Sequence, residues 1–125
     1  MDKTQNKSTG RLGEDLAEKF LRRKGYRVIS RNFSTRYGEL DLIGTKDGRL
    51  VFIEVKTKIG DRFGQPEEMI NRKKVSQIMR IAQSFILRNK EIASKYPLHQ
   101  VDAVCIVLGD DNSLVRLDHY ENIGE

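Results

Sequence analysis

Apolar residues recur along the first part of the chain with helical spacing. Leu12, Leu16, Phe20 and Leu21 fall on one face of a segment from about Thr9 to Lys24. Gly25, after the basic run Arg22-Arg23-Lys24, predicts where that helix stops. Beyond it the period changes to two. Tyr26–Phe33, Glu39–Ile43 and Leu50–Lys56 read as strands, and Asp47-Gly48 predicts a two-residue hairpin turn between the last two. Gly60, Asp61, Gly64 and Pro66 mark residues 57–71 as a loop with room for a short helical turn. Asn71 is placed to cap a long helix running from Arg72 to about Asn89, with Val75, Ile78, Met79, Ala82, Phe85 and Ile86 on its inner stripe. Pro97 closes the region that follows. Val101–Leu108 is apolar on both faces and reads as a central strand. Asp110-Asp111-Asn112 is a turn, and Ser113–Tyr120 adds an edge strand. Residues 1–8 are polar and unpatterned and are expected to be mobile, leaving 9–125 as a single domain. The order α-β-β-β-α-β-β predicts an α/β fold, a mixed central sheet flanked by helices.

Composition narrows the class. A chain of 125 residues, 38% hydrophobic and 33% charged, is globular rather than disordered. It carries no apolar run near the roughly 20 residues that span a bilayer, and no apolar stretch follows the early basic residues as in a secretory signal. A soluble, cytoplasmic protein without membrane partners is expected. The single Cys105 sits in an apolar stretch and reads as a buried small hydrophobe. His99 and His119 lack partners at zinc-ligand spacing, and no glycine-rich phosphate loop with a following Lys-Ser/Thr is present. The net charge of +5 conceals an asymmetry: residues 1–100 hold 22 basic and 12 acidic side chains, whereas 101–125 hold one and six. From Met69 to Lys90 there are six basic residues and no acidic one. Such a face suits a polyanion, most commonly nucleic acid, or the acidic end of another copy of the chain in a homodimer.

The hairpin carries the chemistry. With Asp47-Gly48 as a two-residue turn, Lys46 pairs with Arg49, Leu42 with Ile53 and Leu40 with Val55 on one apolar face. On the other face Asp41 opposes Glu54 and Glu39 opposes Lys56. Two carboxylates so placed repel each other, and a hard divalent cation such as Mg²⁺ or Mn²⁺ between them removes the repulsion. Lys56 lies on the same face, where its ammonium could orient a water or stabilise charge on a phosphate. The competing structural reading is an exposed hairpin face in which Glu39 and Lys56 pair and Asp41 is solvated.

Asp41…Glu54-Val55-Lys56 resembles the signature of the PD-(D/E)xK nuclease superfamily. A wider set of residues is similar to the YraN-like family of small bacterial proteins: Gly10-Arg-Leu-Gly13-Glu14, Gly25-Tyr26, Arg31-Asn32-Phe33, Gly38-Glu-Leu-Asp-Leu-Ile43, Phe52-Ile-Glu-Val-Lys-Thr57 and Arg62-Phe63-Gly64. The resemblance implies a restriction-endonuclease-like fold related to Holliday-junction resolvases. It also implies that Glu14 completes a metal shell with Asp41, Glu54 and the Val55 carbonyl. Gln100 stands where the family usually has Arg, two residues before a matching Asp102. The resulting expectation is a Mg²⁺- or Mn²⁺-dependent endonuclease acting on DNA, including branched DNA, with Asp41, Glu54 and Lys56 catalytic. Arg11, Arg62, Arg72, Lys73, Lys74, Gln77 and Arg80 are the candidate nucleic-acid contacts. The alternatives are a non-catalytic nucleic-acid-binding module of the same fold and a self-associating interaction protein.

Overall fold

A computed structural model of the chain describes residues 3–124, with side chains from residue 8 onward. Helix α1 (Lys3–Arg23) leads into a meander of β1 (Arg27–Thr35), β2 (Gly38–Lys46) and β3 (Arg49–Ile59). A 3₁₀ turn at Pro66–Met69 precedes α2 (Arg72–Arg88) and α3 (Lys90–Lys95), and β4 (Leu98–Leu108) and β5 (Leu114–Tyr120) follow. The five strands form one mixed sheet in sequence order, antiparallel except for the parallel pair β3–β4. This is the expected α/β arrangement.

The predicted stop and start signals act as their chemistry dictates. Gly25 takes φ 97° at the end of α1, and the Tyr26 N–H donates to the Leu21 carbonyl at 2.9 Å, which satisfies an orphan helix carbonyl. Asp47 and Gly48 both have positive φ, the geometry a two-residue hairpin turn requires. The Asn71 side chain accepts from the Lys74 N–H at 2.9 Å and caps α2. Three expectations are corrected. Helix α1 starts at Lys3 instead of about Thr9: residues 1 and 2 of the segment expected to be mobile lie outside the described residues, and the backbone of 3–8 is helical. Those residues carry no apolar stripe, so periodicity could not reveal them, but extending an existing helix costs far less than nucleating one. Helix α3 is an addition, only six residues long and too short for a periodic signal. Met79, placed on the inner stripe of α2, is exposed, whereas Ile78, Ile81, Ala82 and Phe85 are buried. One residue after Ile78 lies about 100° further round a helix, which puts Met79 at the margin of the packed stripe, over an open groove that it lines with Ala103 and Cys105 of β4.

Two cores flank the sheet. On the α1 side Ala17, Leu21 and Tyr26 pack against Leu42, Val51, Ile53, Val55, Val104 and Ile106. On the other side Ile78, Ile81, Ala82 and Phe85 of α2 pack against Leu40, Ile43, Leu50, Phe52 and Val101. Strand β4 is buried on both faces from Val101 to Leu108, as a central strand should be. Gly13 lets α1 approach β3: a Cβ there would lie 1.8 Å from Thr57 Oγ1 and 2.9 Å from Thr57 Cβ. Gly13→Ala is therefore expected to destabilise the fold by about 1–3 kcal/mol despite alanine's better helix propensity. A denaturant titration checks this, and a variant at least as stable as the parent would contradict the close approach.

The C-terminal segment is held by a buried acid. Asp102 is fully buried and its carboxylate accepts from Tyr26 Oη (3.0 Å), Gln100 Nε2 (2.8 Å) and the Asn122 N–H (3.0 Å), with His119 Nε2 at 2.8 Å. The other ring nitrogen of His119 lies 2.8 Å from Lys24 Nζ. Gln100, at the position where the resemblance led to an expectation of Arg, thus supplies a neutral donor to the same carboxylate.

Candidate active-site cleft

Asn32 adopts φ 54°, a left-handed conformation that Asn tolerates better than most residues. At this point both neighbouring strands change face. Phe33 and its partner Leu40 belong to the α2-side core, whereas Leu42 belongs to the α1-side core although it is only two residues from Leu40. A regular strand would put Leu40 and Leu42 on the same side. The sequence-derived register is therefore right from Lys46↔Arg49 to Leu42↔Ile53 and ends there. Beyond it, Leu40 does not share a face with Val55, and the ladder pairs Asp41–Glu54 and Glu39–Lys56 are not formed. Instead the Val55 N–H donates to Asp41 Oδ2 at 2.8 Å, so the aspartate side chain takes a bond that the ladder would have supplied.

The kink opens a polar cleft of about 360 Å³ lined by Glu14, Glu39, Asp41, Glu54, Val55, Lys56, Thr57 and Lys74, together with Thr9 and Gly10. Carboxylates from α1, β2 and β3 meet here. Burial, then the hydrogen bond and charge of Glu54, raise the Asp41 carboxyl to about 8, with Glu14 adding to the rise and the Val55 N–H opposing it. Burial also raises Glu14, against the lowering effect of Arg31 and Asn32. Two carboxylates forced together out of water hold a proton between them unless a cation replaces it.

A cation is already in place on one of them. Lys74 Nζ lies 2.9 Å from Glu54 Oε2, and Lys56 Nζ lies 3.9 Å from the same oxygen. Glu54 is almost fully buried, so this ammonium offsets a large desolvation cost. Gln77 steadies Lys74, accepting from its Nζ at 3.3 Å while donating to the Tyr37 carbonyl at 2.7 Å. On the other side, Asn32 with its amide nitrogen toward the acids reaches Glu14 Oε1 at 3.1 Å and Glu39 Oε1 at 2.9 Å. Arg31 Nη2 lies 3.4 Å from Glu14 Oε1. Glu39 accepts from Ser34 Oγ at 3.3 Å, a partner other than the Lys56 expected for it.

Glu14, Asp41, Glu54, Val55 and Lys56 are thus brought to one cleft. Among the described residues no three acidic, His or Cys side chains converge closely enough to cage a metal as they stand. Of the expected nucleic-acid contacts, Lys74 lines the cleft and Gln77 touches it through Lys74. Arg11, Arg62, Arg72, Lys73 and Arg80 are exposed and lie outside the lining. The sequence reading missed Asn32 as the bridge between Glu14 and Glu39, and it missed Lys74 as the partner of Glu54. The kink left no periodic signal, because only the backbone at Asn32 creates it. The Lys74 contact depends on how α2 docks, although the uninterrupted basic start of that helix marked the right region.

Comparison with known proteins places the chain. The profile of the Uncharacterised protein family UPF0102 matches residues 13–106, a span that contains every acid of the cleft. A UPF0102 protein of Syntrophomonas wolfei is 42% identical over 117 residues, covering 94% of this chain and 97% of that protein. A UPF0102 protein of Fervidobacterium nodosum is 38% identical over 122 residues, covering 95% of this chain and 84% of its own. One from Caldicellulosiruptor bescii is 38% identical over 112 residues, covering 90% and 92%. The chain belongs to the Uncharacterised protein family UPF0102, the YraN-like family whose motifs its sequence carries.

Proposed function

We propose that this chain is a metal-dependent DNA phosphodiesterase, an endonuclease on a restriction-endonuclease-like fold. The observation that carries this reading is the burial of Asp41 and Glu54 against each other in a polar cleft beside two lysines. Packing gains nothing from such a pair, whereas a hard cation needs it. The donor set fits Mg²⁺ or Mn²⁺: the Asp41 and Glu54 carboxylates, the Val55 carbonyl and Glu14 would hold the ion once Lys74 withdraws from Glu54. Bound there, such an ion lowers the pKa of a water and polarises a phosphate. The chain's own residues do the rest. Lys56, half-buried beside Glu54, orients the attacking water or neutralises charge on the phosphate. Lys74, released from Glu54, is a second cation for the phosphate backbone, and the exposed Arg72, Lys73 and Arg80 along α2 add electrostatic affinity without sequence information. Among the described residues no helix is long and apolar enough to cross a membrane.

The test is hydrolysis of linear, flapped and four-way DNA with Mg²⁺ or Mn²⁺ and with EDTA. Lys56→Ala is expected to lower the rate by about 10²–10³-fold while DNA binding persists. Full activity in that variant would remove Lys56 from the chemistry.

The Lys74–Glu54 ion pair also favours a second reading. A cleft whose buried acid is neutralised from within could serve a binding module that cuts nothing. That module would bind DNA in a salt-dependent manner and show no cleavage with any divalent ion.

A further inference from the structure

We infer that Tyr37, with Arg36 and Arg80, forms a stacking subsite for an unpaired base, so that the DNA taken by the cleft is single-stranded or locally unpaired. This rests on the cleft being a nucleic-acid site, as proposed above.

Tyr37 sits in the turn between β1 and β2 and belongs to neither hydrophobic core. Its ring is exposed, with the Arg36 guanidinium carbon 5.0 Å and that of Arg80 5.8 Å from the ring centre. Arg36 Nη2 also donates to the Tyr37 hydroxyl at 2.8 Å. A partly exposed aromatic ring beside two guanidinium groups and outside both cores contributes little to packing. It is the surface on which a flat, polyanion-linked ring stacks, because bases pack on aromatic faces and on guanidinium planes alike.

Tyr37 is also tied to the cleft. Its carbonyl accepts from Gln77 Nε2 at 2.7 Å, Gln77 Oε1 accepts from Lys74 Nζ at 3.3 Å, and Lys74 Nζ lies 2.9 Å from Glu54 Oε2. The turn and the acids are joined by two side chains, so a strand whose phosphates lie along the basic Lys74 side of the cleft passes beside the Tyr37 turn. In a paired duplex both faces of each base are covered by their neighbours. A stacking platform on this turn therefore selects a strand whose bases are free.

Fluorescence anisotropy in EDTA, with a labelled single-stranded oligonucleotide and with the duplex of the same sequence at matched salt, tests the subsite. The single strand is expected to bind more tightly. Tyr37→Leu is expected to weaken single-strand binding by about tenfold or more and to leave duplex binding unchanged, whereas Tyr37→Trp retains the preference. Thermal midpoints of the variants confirm that they fold. A 2-aminopurine base in the strand should be quenched by the parent protein and not by Tyr37→Leu. Unchanged single-strand affinity in Tyr37→Leu, or equal weakening of strand and duplex, would overturn the subsite. Tighter binding of the RNA of the same sequence would overturn the assignment to DNA. Because binding is read without a divalent cation, absence of cleavage with Mn²⁺ would remove the nuclease reading and leave this result standing.

Discussion

Asp41→Asn is expected to make the metal-free protein more stable and, in the same step, to abolish its response to divalent cations. The Asp41 carboxyl is raised from 3.8 to about 8 by burial and by Glu54. Between those values the folded chain binds more protons than the unfolded one, so stability falls as pH rises, and the penalty is complete above the folded value. At pH 8 the penalty is roughly 2–5 kcal/mol, since a tenfold difference in proton affinity corresponds to about 1.4 kcal/mol. Asparagine keeps an oxygen for the Val55 N–H and offers Glu54 an N–H in place of the shared proton. Denaturant titrations in EDTA should show the variant ahead of the parent at pH 8, with the gap closing toward pH 4. Adding Mn²⁺ should stabilise the parent, because a ligand that binds only the folded state shifts the equilibrium toward it, and should leave the variant unmoved. A variant less stable than the parent at pH 8 would show that the acids do not oppose each other in solution.

Asp102→Ala is expected to cost about 3–5 kcal/mol, the range for removing one partner from a buried charged network. The substitution strands Gln100 Nε2, His119 Nε2 and the Asn122 N–H together, while Tyr26 Oη keeps the Glu121 carboxylate at 3.0 Å. Asp102→Asn should fall between, since its amide group turns a donor toward other donors. Burial pushes the Asp102 carboxyl up, but the hydrogen bonds from His119, Asn122, Gln100 and Tyr26 outweigh it and hold the carboxyl below the ordinary range. The stabilisation is thus present above about pH 4 and is lost as pH falls through the lower folded value. The gap between parent and variant should narrow under acid conditions. A constant gap from pH 7 down to the acid transition would assign the loss to packing alone.

The parts of this molecule that announce themselves in the sequence are those whose cause is local. Asp47-Gly48 sets the hairpin because both residues tolerate positive φ, and Asn71 starts α2 because its side chain reaches the Lys74 N–H. Asp41, Glu54 and Lys56 were legible as a group because the hairpin register is local as well. Their true relation was not, because it follows from a backbone reversal at Asn32 on a different strand. The contact of Lys74 with Glu54 and the gathering of Tyr26, Gln100, His119 and Asn122 on Asp102 join elements that only the docked fold brings together. No spacing rule encodes such contacts. They follow from how the helices and the last strand pack on the sheet.

The hydrogen bond between the Val55 N–H and Asp41 also bears on how position 41 can drift. An alanine there would leave a backbone donor without its partner beside a buried glutamate, at a cost of about 1–3 kcal/mol. Asn at 41, which keeps an acceptor for that donor without the buried charge, therefore has a reason to appear and persist in a relative that holds no metal. Among the described residues Glu54 has no such backbone duty: its partners there are the ammonium groups of Lys74 and Lys56 and the carboxyl of Asp41. When relatives of this chain are sorted by whether they bind a divalent cation, those that do not should carry Asn rather than Ala at position 41, whereas position 54, which answers to no backbone donor, should vary more widely.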